Sequence, residues 1–141
     1  MILDLTQEKC FTLEAIMLIT FSAGDFVYKA QDKPDGAFLI HTGVVEVLSN
    51  TGFLLGTLNK GEIFGEIGEL LSERRSVSAR AKTNCTLMHI EAITLEKKLD
   101  ECDAALKGIL RSLALRLQSA DRNYEELWNE LQIYKSIKPN D

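Results

Sequence analysis

From Ala37 to Leu58 the chain reads "AFLIHTGVVEVLSNTGFLLGTL". Gly43 divides the run "AFLIHTG" from "VVEVLS", and Asn50, Thr51 and Gly52 divide that run from "FLLGTL". Short runs rich in Val, Ile, Phe, Leu and Thr, bounded by turn residues, are strands, and "NTG" is a hairpin signal. The same punctuation continues outward. Toward the N-terminus, "AIMLITF" (Ala15 to Phe21) has the composition of a buried strand. "SAGD" then turns the chain, "FVYKA" resumes as a strand, and "QDKPDG" turns again through Pro34 and Gly36. Toward the C-terminus, "NKGE" is a turn. "GEIGELL" is the one short helical pattern inside the β region, and "SVSARAKTNCTLMHI" returns to strand. Short strands at near-even spacing predict a β-barrel or sandwich. After Thr94 the pattern is helical, and Gly108 is the only Gly or Pro before Pro139. The expected fold class is mainly β with a helical C-terminus: a β domain with short helices over residues 1–104, a long helix over 105–137, and a tail or linker at 138–141.

The long helix carries a second pattern. Leu106, Leu110, Leu113, Leu117, Ala120, Tyr124, Leu127, Leu131 and Tyr134 are spaced alternately four and three residues apart. A 3.5-residue repeat held over about four heptads favours a coiled coil. Leu110, Leu117, Tyr124 and Leu131 take the a positions, and the other five take d. In a parallel pair a g residue faces the e residue five places on in its partner. Arg116 would then face Asp121, and Glu130 would face Lys135, both opposite in charge. Such exposed pairs contribute about 0–1 kcal/mol each, so they select register more than they stabilise. The expected partner is a second copy of the chain. The competing expectation is that this helix packs on its own β domain.

Composition narrows the function. The 141 residues suffice for one domain with a core, and 45% hydrophobic with 26% charged residues is ordinary for a globular protein. A net charge of −5 with no basic stripe argues against nucleic acid as a direct partner. Cys10, Cys85 and Cys102 are scattered and lack metal-ligand spacing, as are His41 and His89, so neither a disulfide framework nor a metal site is expected. Glu14 and Asp25 interrupt the apolar N-terminus, which predicts neither a signal peptide nor a membrane span and fits a cytoplasmic protein. No nucleophile–base pair or metal cluster suggests catalysis.

One stretch mixes charges in an order that calls for a ligand: "FGEIGELLSERRSVS", Phe64 to Ser78. The start of a short helix offers free N–H groups to an anion. Gly65, without a side chain, lets the backbone come close. Arg75 can fork onto two phosphate oxygens. Glu66 would repel a phosphate, and a carboxylate beside a phosphate site should accept from a hydroxyl. Phosphate plus hydroxyl on one small molecule suggests a ribose phosphate. The alternative is a turn with surface charges.

The same stretch resembles the phosphate-binding cassette of cyclic nucleotide-binding domains. Phe64, Gly65, Glu66, Ile67 and Gly68 match its first half, and Arg75, Ser76, Val77 and Ser78 match its second. Upstream, Phe21, Gly24, Asp25, Val27, Phe38, Ile40, Gly43 and Val47 fall in place on the family's opening and β-roll, and "RAKTNC" is similar to the bacterial catabolite activators. The resemblance extends over roughly residues 12 to 125. It implies a jelly-roll-like β-roll with a long C-terminal dimerisation helix, and cAMP as ligand, with cGMP as the alternative. Arg75 would hold the cyclic phosphate, helped by Ser76 and the Gly65–Glu66 region, and Glu66 would accept the ribose 2′-hydroxyl. Val47, Leu55 and Phe64 would form apolar walls, next to Ile67 and Val77 of the cassette, and the long helix would lid the purine. Where the activators meet adenine, this chain has Ala120 and Asp121. Asp121 could accept from an exocyclic amine, or it could pair with Arg116. Arg74 is expected outside the pocket and Glu69 exposed; Gln31 stands in place of a frequent turn glycine. The activators' DNA-reading domain is absent, so the module would act alone or through a fused or separate output domain. A dimerisation scaffold that has lost its ligand, and a regulator whose tail docks DNA, are the rival functions.

Overall fold

Apolar side chains of short strands meet in one core in the computed structural model, which describes residues 16–137. The N-terminal apolar residues, Cys10 and the tail from Lys138 lie outside the described residues, and so do the expectations attached to them. In order, the elements are β1 (Ile16–Phe21), β2 (Phe26–Tyr28), β3 (Ala37–Thr42), β4 (Val45–Leu48), β5 (Leu54–Leu58), β6 (Ile63–Phe64), α1 (Glu66–Leu71), β7 (Ser78–Ala81), β8 (Cys85–Ile90), α2 (Ala92–Asp100) and α3 (Ala104–Ile137). The strands form two four-stranded antiparallel sheets, ordered β1-β8-β3-β6 and β2-β7-β4-β5. Their inner faces supply Phe38, Ile40, Val45, Phe64, Ala79, Ala81, Cys85 and Leu87 to one core. Burying a side chain such as Leu87 contributes about 1.5–3 kcal/mol. The result is the expected antiparallel β-roll with a long C-terminal helix.

The turns lie where Gly and Pro put them. The β4–β5 hairpin closes through Gly52, at φ 90°, whose N–H donates to the Ser49 carbonyl at 2.9 Å, while the Ser49 hydroxyl accepts the Phe53 N–H at 3.0 Å. Gln31, standing where a glycine is frequent, takes φ 76°, a left-handed conformation costly to a residue with a Cβ. His89 is buried, stacked on Phe38 with ring centroids 4.8 Å apart, and its Nε2 meets the Asp35 carbonyl oxygen at 2.6 Å.

Helix starts before Thr94, at Ala92, and is interrupted at Glu101–Asp103, so that the long helix begins at Ala104, one residue before the expected 105. The Asp103 carboxylate accepts the Ala105 N–H at 2.8 Å, satisfying one of the free donors at the start of α3. Gly108 is tolerated inside α3. This helix packs on α1 and β5 through Leu110, buried Ala114, Gln118, Asp121 and Glu125. Two polar links hold it: Gln118 Nε2 donates to Glu73 Oε2 at 3.2 Å, and the Thr51 hydroxyl donates to Glu125 Oε1 at 2.6 Å. Phe53 adds an apolar clasp, its ring 5.4 Å from Tyr124 and 4.5 Å from Trp128. The packing helix and the heptad helix are therefore one helix with two faces. Leu106, Leu113, Leu117, Tyr124, Leu127, Leu131 and Tyr134 are exposed on the second face. Three e positions, Ala114, Asp121 and Trp128, turn toward the β-roll, which leaves Asp121 poorly placed for the Arg116 pairing across a seam; Arg116 itself is exposed. No described helix is long and apolar enough to cross a membrane.

Candidate functional site

Arg75 lies at the floor of a cavity of about 250 Å³ between sheet β2-β7-β4-β5, α1 and α3. Its position is forced from several sides. The residue before α1, Gly65, takes φ 85°, where a side chain would be strained, and a Cβ there would stand 3.0 Å from Arg75 Nη1. That close approach lets Arg75 Nη1 donate to the Gly65 carbonyl, while Nη2 donates to the Gly36 carbonyl at 2.9 Å. The guanidinium carbon lies 4.1 Å from the ring centre of Tyr28, a favourable stacking of cation on aromatic face. The Arg75 backbone is fixed as well: its N–H donates to Asp32 O at 2.9 Å, and its carbonyl accepts the Gln31 N–H at 2.8 Å.

Two carbonyls do not exhaust a guanidinium with five N–H donors. Arg75 Nε is buried without a partner, and so is Glu66 Oε2. These are the only two such side-chain atoms among the described residues, one a donor and one an acceptor, and both belong to residues lining this cavity. A buried polar group left unpaired costs about 1–3 kcal/mol, so the pair marks a place where an added molecule would complete the hydrogen bonding. Burial pushes the Glu66 carboxyl up from its ordinary value, partly offset by its own backbone N–H and by Arg75. Burial also pushes the Tyr28 phenol up to about 12, despite Arg75, so it stays neutral at physiological pH.

The walls are apolar on one side and helical on the other. Val47, Leu55, Phe64, Ile67 and Val77 line the cavity together with Gly65, Glu66, Arg75 and Ser76. Leu117 and Asp121 of α3 form its roof, and burial pushes the Asp121 carboxyl up. Arg116 and Ala120 are exposed and do not line the cavity. Arg74 is outside, donating to the Gln31 carbonyl at 3.0 Å. Glu69 corrects the expectation of an exposed side chain. It is buried, and its Oε1 accepts the Gly36 N–H at 2.7 Å, which would otherwise be an unpaired donor inside the protein. Sequence reasoning also missed Tyr28, Leu58, Ile63 and Leu117 as lining residues. For Tyr28 the spacing misleads: two residues apart on a regular strand, Phe26 and Tyr28 would share a face, but the register shifts between them, so Tyr28 lines the cavity while Phe26 is exposed.

Residues 18–102 match the family described as the cyclic nucleotide-binding domain. A cAMP-dependent protein kinase regulatory subunit from Schizosaccharomyces pombe is 29% identical over 86 residues, covering 61% of this chain and 21% of that protein. A cGMP-dependent protein kinase from Plasmodium berghei is 31% identical over 98 residues, covering 69% of this chain and 11% of the kinase. This chain therefore spans less than a third of either curated relative. Among solved structures, an EAL enzyme in its cAMP-bound form superposes with a TM-score of 0.68 at 25% identity, over 84% of this chain and 32% of the enzyme.

Proposed function

We propose that this chain, which belongs to the cyclic nucleotide-binding domain family, is a regulatory module that senses cAMP in the cavity over Arg75 and passes the signal through α3. The observation that carries the proposal is the orphaned pair: a buried Arg75 Nε donor and a buried Glu66 Oε2 acceptor in one cavity. A cyclic phosphate supplies oxygens for the free guanidinium donors, and a ribose 2′-hydroxyl supplies a proton for the carboxylate. Inorganic phosphate alone satisfies only the first. The purine then lies against Val47, Leu55 and Leu117.

A relay follows from the roof. Leu117 lines the cavity and also occupies an a position on the exposed heptad face of α3. A ligand that contacts Leu117 and Asp121 binds one placement of α3 better than another, and only such differential affinity can shift the equilibrium. We take the exposed face to be paired with a second copy of the chain, and the response to reach an output domain, fused or separate. No catalytic step is assigned to these residues.

One observation favours cGMP as a second reading. Asp121 places a carboxylate at the roof, and guanine offers two adjacent donors, N1–H and the 2-amino group, against the single amino group of adenine. The half-buried Ser76 hydroxyl lines the same cavity. Calorimetric titration of one preparation with both nucleotides tests the proposal and ranks the bases. Absence of heat for both, at high micromolar ligand and with folded protein, contradicts it and leaves the scaffold alternative.

Glu66 gives the proposal a pH signature. In the ligand-free protein the carboxyl holds its proton above the ordinary range. Accepting a hydroxyl bond favours the ionised form, so the ligand draws the pKa back down. Affinity is then full above the raised value and falls as pH drops through it, and in that window binding releases a proton. Titrations in buffers of different ionisation enthalpy should show this release, and Glu66→Gln should abolish it. Proton release that persists in Glu66→Gln would assign the effect to another group.

A further inference from the structure

Three of the five buried polar side chains among the described residues converge on two consecutive loop residues. His89 Nε2 meets the Asp35 carbonyl at 2.6 Å, Glu69 Oε1 accepts the Gly36 N–H at 2.7 Å, and Arg75 Nη2 donates to the Gly36 carbonyl at 2.9 Å. Gly36 is thus held from both sides by opposite charges, the acid on its N–H and the guanidinium on its carbonyl. Its φ is +79°, and a Cβ there would run into the Ile90 carbonyl, so the loop has no room to relocate this residue by substitution. Gly68 lets α1 approach the same loop: a Cβ on it would stand 3.0 Å from Pro34 Cβ. That approach brings Glu69, the next residue, within reach of Gly36.

We propose that Glu69 is a positioning residue for Arg75. Its carboxylate fixes the Gly36 backbone, and the Gly36 carbonyl in turn sets the plane of the guanidinium, so that Arg75 keeps its orientation in the lining of the cavity. A lone buried carboxylate on a short helix would be a poor choice for packing alone, because an unpaired buried charge is costly. Here it does what an apolar side chain cannot: it accepts the one loop N–H next to the carbonyl that Arg75 uses. An apolar residue at 69 would leave the Gly36 N–H unpaired, and the loop would rotate to find a partner, carrying the carbonyl with it. The consequence for affinity rests on the nucleotide-binding proposal above; the orientation of Arg75 does not.

The experiment uses the full chain as Glu69→Met, which keeps length without an acceptor, and as Glu69→Gln, which keeps an acceptor oxygen. Two readouts are taken: the Arg75 Nε–H resonance in the free protein, and calorimetric affinity for cAMP and cGMP. Glu69→Met is expected to shift the Arg75 resonance and weaken both nucleotides about tenfold, and Glu69→Gln to restore both toward the original values. An unshifted Arg75 resonance in Glu69→Met, or a Glu69→Gln that behaves like Glu69→Met, overturns the inference. In the unaltered protein, a scalar coupling across the hydrogen bond from the Gly36 amide nitrogen to the Glu69 carboxyl carbon is expected, and its absence overturns the inference too, even if Glu69→Met does not fold. Failure of the unaltered protein to bind either nucleotide counts against the proposed function alone, since the resonances report on the free protein.

Discussion

Arg75→Ala is expected to abolish nucleotide binding in calorimetric titration. The side chain is 4% exposed, so a phosphate that reaches it is shielded from water and from competing counterions. Truncating one member of a buried, hydrogen-bonded charge pair costs about 2–5 kcal/mol, which is roughly thirty- to several-thousandfold in affinity. The alanine variant also removes the donors that satisfy the Gly65 and Gly36 carbonyls, so its fold is to be checked by thermal unfolding. Arg75→Lys separates the two effects. It keeps the charge but not the planar fork, and cannot hold two carbonyls and a phosphate together. A similarly deep loss in a well-folded lysine variant assigns the requirement to fork geometry. Near-normal affinity in either variant contradicts the phosphate role. The proposed dimer is expected to persist in both, because Arg75 is buried and does not lie on the exposed heptad face of α3.

The second large effect is on assembly. If the heptad face pairs as proposed, the unaltered protein sediments as a dimer, and Leu113→Lys and Leu127→Lys are each expected to make it a monomer. Both residues occupy d positions on the face of α3 turned away from the β-roll, with 54% and 65% of their surface exposed in one copy. Neither lines the cavity, so the change is confined to the seam. Beyond Trp128 the helix continues to Ile137 with every residue exposed, and Leu131, Ile133, Tyr134 and Ile137 find no cover among the described residues. Helices gain most of their stability in water from packing an apolar face, which supports the proposed pairing of these last turns. In a two-fold pair, lysine at a d position meets its own copy, and burying such charges without counterparts costs about 3–5 kcal/mol, or roughly a hundredfold or more in dimer affinity. Unchanged dimer mass in both variants, or a monomeric unaltered protein at tens of micromolar, contradicts the seam.

Much of the β-roll was legible because its turns are spelled by residues with few other uses. Gly36, Gly43, Gly52 and Gly61 all take positive φ at strand ends, and the apolar runs between them form strands. The long helix was expected from residue 105 and begins at Ala104; the Asp103 cap that starts it was not singled out, since an Asp that caps a new helix looks locally like an Asp on a helix surface. Which wall residues face the ligand was legible only in part. Val47, Leu55 and Phe64 came from the cassette resemblance, whereas Tyr28 and Leu117 depend on how one sheet folds beneath Arg75 and how α3 crosses above it. Glu69 misled for a physical reason. A carboxylate is normally left in water, and nothing local in "GELL" announces that a glycine N–H from a loop more than thirty residues earlier needs an acceptor. On α3, the heptads were plain, but the e positions looked free for interhelical pairing, whereas Ala114 and Asp121 pack toward the β-roll and Trp128 meets Phe53.

The proposed role of the cavity rests on one physical statement: a buried donor on Arg75 and a buried acceptor on Glu66 are satisfied by the phosphate and the sugar hydroxyl of one molecule. Its most direct test is calorimetric titration of the full chain with cAMP, cGMP and the corresponding 2′-deoxy cyclic nucleotide of whichever binds. Saturable binding of a cyclic nucleotide, weakened about tenfold when the 2′-hydroxyl is missing, is the predicted result. Folded protein that gives no heat with either nucleotide, or that binds the 2′-deoxy compound equally well, would contradict it.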